Sequence, residues 1–230
     1  MPRWFGKSCK RVEPVVVPQR TDPAADPLYA ALAAHTFAVP AKLHNLRSLA
    51  AAVNRAGIPG DFVECGTYKG GSAAVLGAEL GGARRLWLYD SFAGMPETGA
   101  LDGDDAGIYV GEGVASPQDV LDALAIAGAD PAKAIIRQGW FQDSFTQPLP
   151  GSVALLHCDA DWYDSCLLVL ETFYPLVAEG GCVVLDDFGY WEGCREAFYA
   201  FCERHHERPL LERWGNDQAY WHKGRKHNRA

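Results

Sequence analysis

The chain has 230 residues, 48% of them hydrophobic, and a formal net charge of -8 at pH 7. This length and composition suit one α/β domain with a single core, while the negative charge argues against nucleic acid or an anionic membrane as a partner. The sequence has no run of about 18 apolar residues and no signal-peptide pattern, so we expect no transmembrane span and a cytoplasmic protein.

The cysteines agree with a reducing compartment. Their number, seven, is odd. Cys65, Cys158 and Cys182 lie in apolar, strand-like runs, where a free thiol behaves as a small buried side chain. Because the sequence contains no C-x-x-C pair, we do not expect structural zinc.

The N-terminal part divides into an arm and a helical segment. Residues 1–27 carry several prolines among polar residues and are expected to form an arm outside the domain. From Leu28 to Val53 apolar residues recur at three- and four-residue spacing, which predicts helices. We assign residues 28–222 to one domain and the basic residues 223–230 to a tail.

The first strand signal leads into a glycine-rich turn. Residues 61–65 are strand-like, residues 66–71 supply the turn, and an alanine-rich helix is predicted at 72–80. Such a turn lets a helix N-terminus approach a ligand closely. The next strand, residues 85–89, ends in Asp90, whose carboxylate can accept hydrogen bonds from both ribose hydroxyls of a nucleoside cofactor. The pattern is neither G-x-G-x-x-G nor a P-loop, so it does not favour a dinucleotide or a P-loop nucleotide.

A long connection follows the second strand. Residues 91–116 are rich in glycine and acidic residues, and a loop of this length is typical of a lid, which we expect to be solvated. A helix is predicted at 117–127 and a strand at 134–137. Trp140, just beyond that strand, is placed either to flank a purine ring or to pack in the core.

Two further apolar strands each end in a pair of carboxylates. Residues 153–158 are followed by Asp159 and Asp161, and residues 182–185 by Asp186 and Asp187. Because a helix is predicted between the strands, at 165–177, they read as parallel neighbours with all four carboxylates at one edge. Like charges repel strongly there, and a hard divalent cation is the simplest compensation. The alternative is that each aspartate caps a helix or faces solvent.

A helix at 193–205 and strands at 210–214 and 219–221 complete the chain. The order predicts a Rossmann-like, doubly wound α/β sheet, mostly parallel with an antiparallel last strand, and ligand binding beyond the carboxyl ends of the strands. This order, with an acid ending the second strand, is that of class I S-adenosylmethionine-dependent methyltransferases.

Several segments resemble the macrocin O-methyltransferase (TylF) family. The matching stretches are residues 60–66, 70–72, 90–96, 139–141, 157–165, 186–189 and 193–195. Similarity runs from about Thr36 to Trp221, and departures are mild: Ala93 and Met95 replace the usual Glu and Leu. The resemblance implies an S-adenosylmethionine- and Mg²⁺-dependent O-methyltransferase that acts on a sugar hydroxyl of a glycosylated natural product in antibiotic biosynthesis. It also implies a homo-oligomer, a dimer or larger.

The resemblance also implies roles for single residues. The magnesium ligands would be Asp159, Asp186 and Asp187, and Asp161 would be the general base. Cofactor contacts are implied at Thr36, Phe37, Glu64, Gly66, Tyr68, Ser72, Asp90, Ser91, Gly139 and Trp140. His157 is a rival base or a core histidine, and Tyr163 contacts the acceptor or packs in the core. The chemistry independently favours a metal and a base, since a sugar hydroxyl is a poor nucleophile.

Other functions stay open at this point. The same apparatus could methylate an amino group of an aminoglycoside or amino sugar, and the acidic charge would suit a cationic acceptor. A non-catalytic cofactor-binding protein would have no use for the four carboxylates. A catechol-type methyltransferase would be expected to carry Asn at position 187, where this chain has Asp187.

Overall fold

The structure is a computed structural model and describes residues 26–226. Nearly all of the predicted arm, residues 1–27, and the end of the predicted tail, residues 227–230, lie outside the described residues. Within 26–226 no helix is long and apolar enough to cross a bilayer. The six cysteines of this range are free and buried.

Strands and helices alternate along the chain. The strands are β1 Asp61–Cys65, β2 Leu86–Asp90, β3 Ala134–Gln138, β4 Val153–Cys158, β5 Val177–Leu185, β6 Glu212–Trp214 and β7 Gln218–His222. The α-helices are α1 Pro27–Ala31, α2 Pro40–Arg55, α3 Gly71–Ala78, α4 Pro117–Ile126, α5 Phe141–Ser144, α6 Tyr163–Phe173 and α7 Glu192–Arg204. Short 3-10 turns lie at Ala33–His35, Ala106–Tyr109, Pro131–Lys133 and Tyr174–Leu176.

The strands form one sheet in the order β3-β2-β1-β4-β5-β7-β6. Strands β1 to β5 pair in parallel, and β7 runs antiparallel to both β5 and β6. This confirms the predicted doubly wound sheet with an antiparallel last strand. The chain order reverses between β1 and β4, so a crevice opens beyond their carboxyl ends, where ligands of such sheets bind.

Helices cover both faces of the sheet because alternate residues of the central strands point to opposite sides. All six residues of β4 are buried. Leu156 and Cys158 pack with side chains of α6 and α7, while Leu155 packs with side chains of α2, α3 and α4. Ala154 shares the face of Leu155 because the register of β4 with β5 shifts between Val153 and Leu155. A strand buried on both faces has to be apolar almost throughout, which is how these runs could be recognised in the sequence.

Two local features differ from expectation. Strand β5 begins at Val177 rather than after the glycine pair 180–181, because the Gly180 N–H donates to the carbonyl of Lys223 and the Lys223 N–H donates to Gly181. The loop 91–116 is mostly exposed or half-buried, as expected of a solvated segment, but one of its acidic residues is enclosed. Its Asp102 is buried, and its carboxylate accepts the N–H groups of Gly99 and of Tyr163, the first residue of α6, both at 2.6 Å.

Candidate active site

A cavity of about 500 Å³ lies beyond the carboxyl ends of β1, β2, β4 and β5. Its walls come from the turns that follow these strands, from the segment 35–42 before and in α2, and from the loop 91–116. The predicted residues that line it are Thr36, Phe37, Gly66, Tyr68, Ser72, Asp90, Ser91, Trp140, Asp159, Asp161, Asp186 and Asp187. A concave site of this size suits a small-molecule ligand.

Gly66 shapes the turn after β1. Its φ is +88°, and a Cβ built on it would lie 1.7 Å from the carbonyl oxygen of Asp159. No side chain fits this space, so only glycine lets the end of β1 pass this close to the end of β4. The turn therefore brings the first β-α connection against the chain that carries two of the predicted carboxylates.

Asp90 ties the same turn to the end of β2. Its Oδ2 accepts the backbone N–H groups of Thr67 and Tyr68, both at 2.7 Å, and its Oδ1 accepts the N–H of Phe92 at 2.7 Å. A carboxylate has about four acceptor positions, so one remains beyond these three bonds. Asp90 thus holds the turn in shape and also lines the cavity.

The segment before α2 covers part of the cavity. The ring of Phe37 stacks on that of Tyr68, with centroids 4.6 Å apart and an angle of 18°. Phe37 is nevertheless 79% exposed, which leaves a large apolar side chain at the rim. Thr36 lies against the start of α3, where a Cβ on Gly71 would come within 2.5 Å of the Thr36 Cβ.

Three predicted residues lie outside the lining. Glu64 is fully buried, with its Oε1 2.9 Å from Nδ1 of His157. Gly139 donates its N–H to the carbonyl of Asp90 and is adjacent to the cavity rather than in its wall. Tyr163, the first residue of α6, packs against the core.

The four carboxylates Asp159, Asp161, Asp186 and Asp187, called the carboxylate cluster below, all lie in one wall of the cavity. They come from the ends of the neighbouring strands β4 and β5, whose pairing brings Cys158 next to Leu185. Asp161 has a left-handed backbone, with φ of +54°. Its Oδ1 accepts the indole N–H of Trp191 at 2.9 Å, and within residues 26–226 its Oδ2 has no hydrogen-bond partner.

Besides Trp191, two further side chains that the sequence analysis missed contact this cluster. The Lys42 ammonium lies 2.5 Å from Oδ2 of Asp186 and 3.3 Å from Oδ1 of Asp187. Gln218 donates from Nε2 to Oδ1 of Asp186 at 2.6 Å and accepts from Nδ2 of Asn45 at 3.0 Å. No local sequence signal marks either residue, because Lys42 is one of several polar residues in the first half of α2 and Gln218 directly follows Asn216 and Asp217.

Comparison with known proteins identifies the family. The family model of macrocin O-methyltransferase (TylF) matches residues 11–223. The chain belongs to this family of O-methyltransferases. A relative from Streptomyces olivaceus, 8-demethyl-8-(2,3-dimethoxy-alpha-L-rhamnosyl)-tetracenomycin-C 4'-O-methyltransferase, is 34% identical over 82% of this chain and 75% of its own length. Demethyldecarbamoylnovobiocin O-methyltransferase from Streptomyces niveus is 28% identical over 84% and 77%.

Solved structures agree with the fold. The O-methyltransferase NovP superposes with a TM-score of 0.76 at 26% identity, covering 83% of each chain. The calicheamicin methyltransferase CalS11 superposes with a TM-score of 0.65 over 90% of this chain and 95% of its own. At 18% identity it supports the fold alone.

Burial dominates the electrostatics of the cluster in this TylF-family protein. Together with the charges of Asp187 and Asp186, it raises the pKa of Asp161 well above the ordinary value of an aspartate. The same causes raise the pKa of Asp159. Each of these carboxylates therefore holds a proton more readily than a solvated one does.

Two cations oppose this effect. Burial alone would lower the pKa of His157, but its hydrogen bonds with Asp186 and Glu64 outweigh burial and raise the pKa to about 10. Burial would raise the pKa of Asp186, but the hydrogen bond from His157 and the charge of Lys42 hold it below its usual range. Among the residues of 26–226 that line the cavity, Lys42 is the one lysine or arginine.

The donor set fits a hard divalent cation. Ligand atoms of His157, Asp159 and Asp186 lie within 4.8 Å of one another. Both ring nitrogens of His157 are already engaged, by Glu64 and Asp186, so the carboxylate oxygens are the donors that remain. Several carboxylate oxygens on one wall match the ligand preference of Mg²⁺.

Proposed function

We propose that this protein transfers a methyl group from S-adenosylmethionine to a sugar hydroxyl of a glycosylated natural product, with Mg²⁺ as cofactor. The observation that carries the proposal is that the carboxylate cluster and the glycine turn with Asp90 face the same cavity. The names of the relatives support the acceptor class: besides the tetracenomycin enzyme, mycinamicin III 3''-O-methyltransferase of Micromonospora griseorubida is 27% identical over 82% of this chain.

The turn and the rim would hold the methyl donor. Asp90 would accept from a ribose hydroxyl, and Trp140, which lines the cavity and is 41% exposed, would stack on the purine. Tyr68 and Ser72, at the turn and the start of α3, would contact the methionine part, and Phe37 would cover it.

Asp159, Asp186 and Asp187 would hold the metal ion. When bound, a divalent ion at this site would lower the pKa of the acceptor hydroxyl and orient it. His157 and Gln218 both bond to Oδ1 of Asp186, and they fix this carboxylate while its other oxygen stays toward the cavity. Hydrogen bonds of this kind, from residues that do not themselves bind the metal, set the orientation of a metal-binding side chain.

Asp161 would act as the general base. The indole N–H of Trp191 fixes Oδ1, so the free Oδ2 can accept the proton of the acceptor hydroxyl. S-adenosylmethionine, when bound, would supply the methyl group to the acceptor oxygen and leave as S-adenosylhomocysteine, and Asp161 would take the proton of the acceptor hydroxyl.

Mass spectrometry tests the proposal. The protein is incubated with S-adenosylmethionine carrying a deuterated methyl group, Mg²⁺ and a panel of glycosides, and products are fragmented to locate the label. We expect the label on a sugar oxygen, loss of turnover in EDTA and recovery with excess Mg²⁺. Labelled amino sugars formed at an undiminished rate in EDTA would instead indicate an N-methyltransferase.

A further inference from the structure

We propose that Lys42 is a tethered cation that holds the carboxylate cluster in the ion-free protein and competes with the divalent ion for it. The inference rests on the metal site of the proposed function. It assigns to a side chain on α2 a role that concerns ion affinity and stability, and it can be measured without acceptor or turnover.

The contacts of Lys42 place its charge at the cluster itself. Its ammonium contacts Asp186 and Asp187, at 2.5 Å and 3.3 Å. The side chain of Lys42 is 14% exposed and those of the two aspartates are 6% and 13% exposed. A pair this well buried is screened little by salt, so its attraction is stronger than that of a surface ion pair.

The oxygens that Lys42 occupies are those an ion would use. Within residues 26–226, His157 and Gln218 both bond to Oδ1 of Asp186, whereas Lys42 contacts Oδ2. Lys42 also takes Oδ1 of Asp187. An ammonium and a divalent ion cannot share these oxygens at such distances, because their positive charges repel.

The position of Lys42 in the chain connects its ion pair to another wall of the cavity. It is the third residue of α2, and Thr36, Phe37, Ala38 and Val39, which precede this helix, line the cavity. Its backbone N–H donates to the carbonyl of Val39 at 2.9 Å. The ion pair therefore fastens the start of α2 to the strand ends when no ion is present.

Two measurable effects of opposite sign follow. Without the ammonium, the ion-free protein keeps buried like charges with less compensation and should be less stable. The ion, in contrast, no longer has to displace a competitor and should bind more tightly. A residue that only packs would lower stability equally with and without the ion.

The test compares wild type, Lys42→Met and Lys42→Arg by calorimetric titration with MgCl₂ alone and by thermal melting with and without saturating Mg²⁺. Methionine keeps the length of the side chain and removes the charge, whereas arginine keeps the charge. We expect Lys42→Met to bind Mg²⁺ about tenfold more tightly, equivalent to ~1.4 kcal/mol. Its melting temperature should fall by several degrees without the ion and return to near wild type with it. Lys42→Arg should resemble wild type in both.

The matched control is Lys133→Met. The Lys133 ammonium bonds to the carbonyl of Gly82, at the opposite end of the sheet from the cluster, so this variant should leave Mg²⁺ affinity unchanged. Equal or weaker Mg²⁺ binding by Lys42→Met, or a stability loss that saturating Mg²⁺ does not remove, would overturn the proposal. If wild type, Lys42→Met and Asp186→Asn all fail to bind Mg²⁺, the metal site itself is refuted and the role of Lys42 with it.

Discussion

Replacing Asp161 with Asn should remove most of the turnover and at the same time stabilise the ion-free protein. Asparagine has the same shape as aspartate. Its Oδ1 can still accept the indole N–H of Trp191, which in the wild type lies 2.9 Å from Oδ1 of Asp161. It also tolerates the left-handed backbone, where φ is +54°, better than most residues do. The substitution therefore removes the charge and the proton acceptor and little else.

The loss of turnover and the gain in stability have different physical causes. Loss of a general base lowers kcat by about 10² to 10⁴-fold, or roughly 3–5 kcal/mol in the activation barrier. Loss of repulsion from Asp187 and Asp186, which with burial raises the pKa of Asp161, should stabilise the ion-free fold by on the order of 1 kcal/mol. For a chain of this size that is about 2–4 °C in melting temperature.

The assay measures kcat and KM at saturating Mg²⁺ and cofactor, and melting temperature without Mg²⁺. Asp161→Ala is the matched comparison, since it loses the hydrogen bond as well as the charge and should be less stable than Asp161→Asn. Asp164→Asn, an exposed change in the first turn of α6, should leave kcat unaltered. A kcat within tenfold of wild type would show that another group takes the proton. A lower melting temperature for Asp161→Asn would refute the repulsion argument.

Three further substitutions test residues in the cavity wall or directly behind it. Gly66→Ala should destabilise the protein by more than about 3 kcal/mol, because its Cβ has no space, whereas Gly82→Ala, with φ of +58° and nothing within 4 Å, should cost roughly 1–2 kcal/mol. Gln218→Leu should cost about 2–4 kcal/mol and weaken Mg²⁺ binding, because Asp186 loses a buried donor. Phe37→Ala should raise the cofactor Kd by roughly two- to tenfold without lowering the melting temperature, since the side chain is 79% exposed.

Denaturant unfolding and calorimetric titration check these values. Equal losses for the two glycine variants would contradict the steric argument. Unchanged Mg²⁺ affinity in Gln218→Leu would show that the orientation of Asp186 does not depend on this donor. For Phe37→Ala, Phe37→Tyr is the control that keeps the ring, and an unaltered cofactor Kd in the alanine variant would remove Phe37 from the proposed cofactor site.

Much of this protein was determined by local sequence signals. The apolar run of β4 and the glycine turn at Gly66 each depend on residues within a few positions of one another. The same is true of Asp90 at the end of β2. Such signals predicted the order of strands and helices, and the order predicted the sheet, because parallel β-α-β connections are right-handed and short. The strand-end aspartates were recognisable for the same reason: the end of a strand fixes where its next side chain lies.

The contacts that decide the chemistry of the site join residues that are far apart in the sequence. Lys42 and Asp187 are 145 positions apart, and Asn45 and Gln218 are 173 apart. No local pattern links them, because their meeting depends on α2 packing over the sheet and on β7 pairing with β5. The free oxygen of Asp161 likewise follows from Trp191, which comes from the start of α7. The sequence therefore determined which carboxylates reach the site, and only the tertiary structure decided which cations and donors meet them, since burial and charge act through space rather than along the chain.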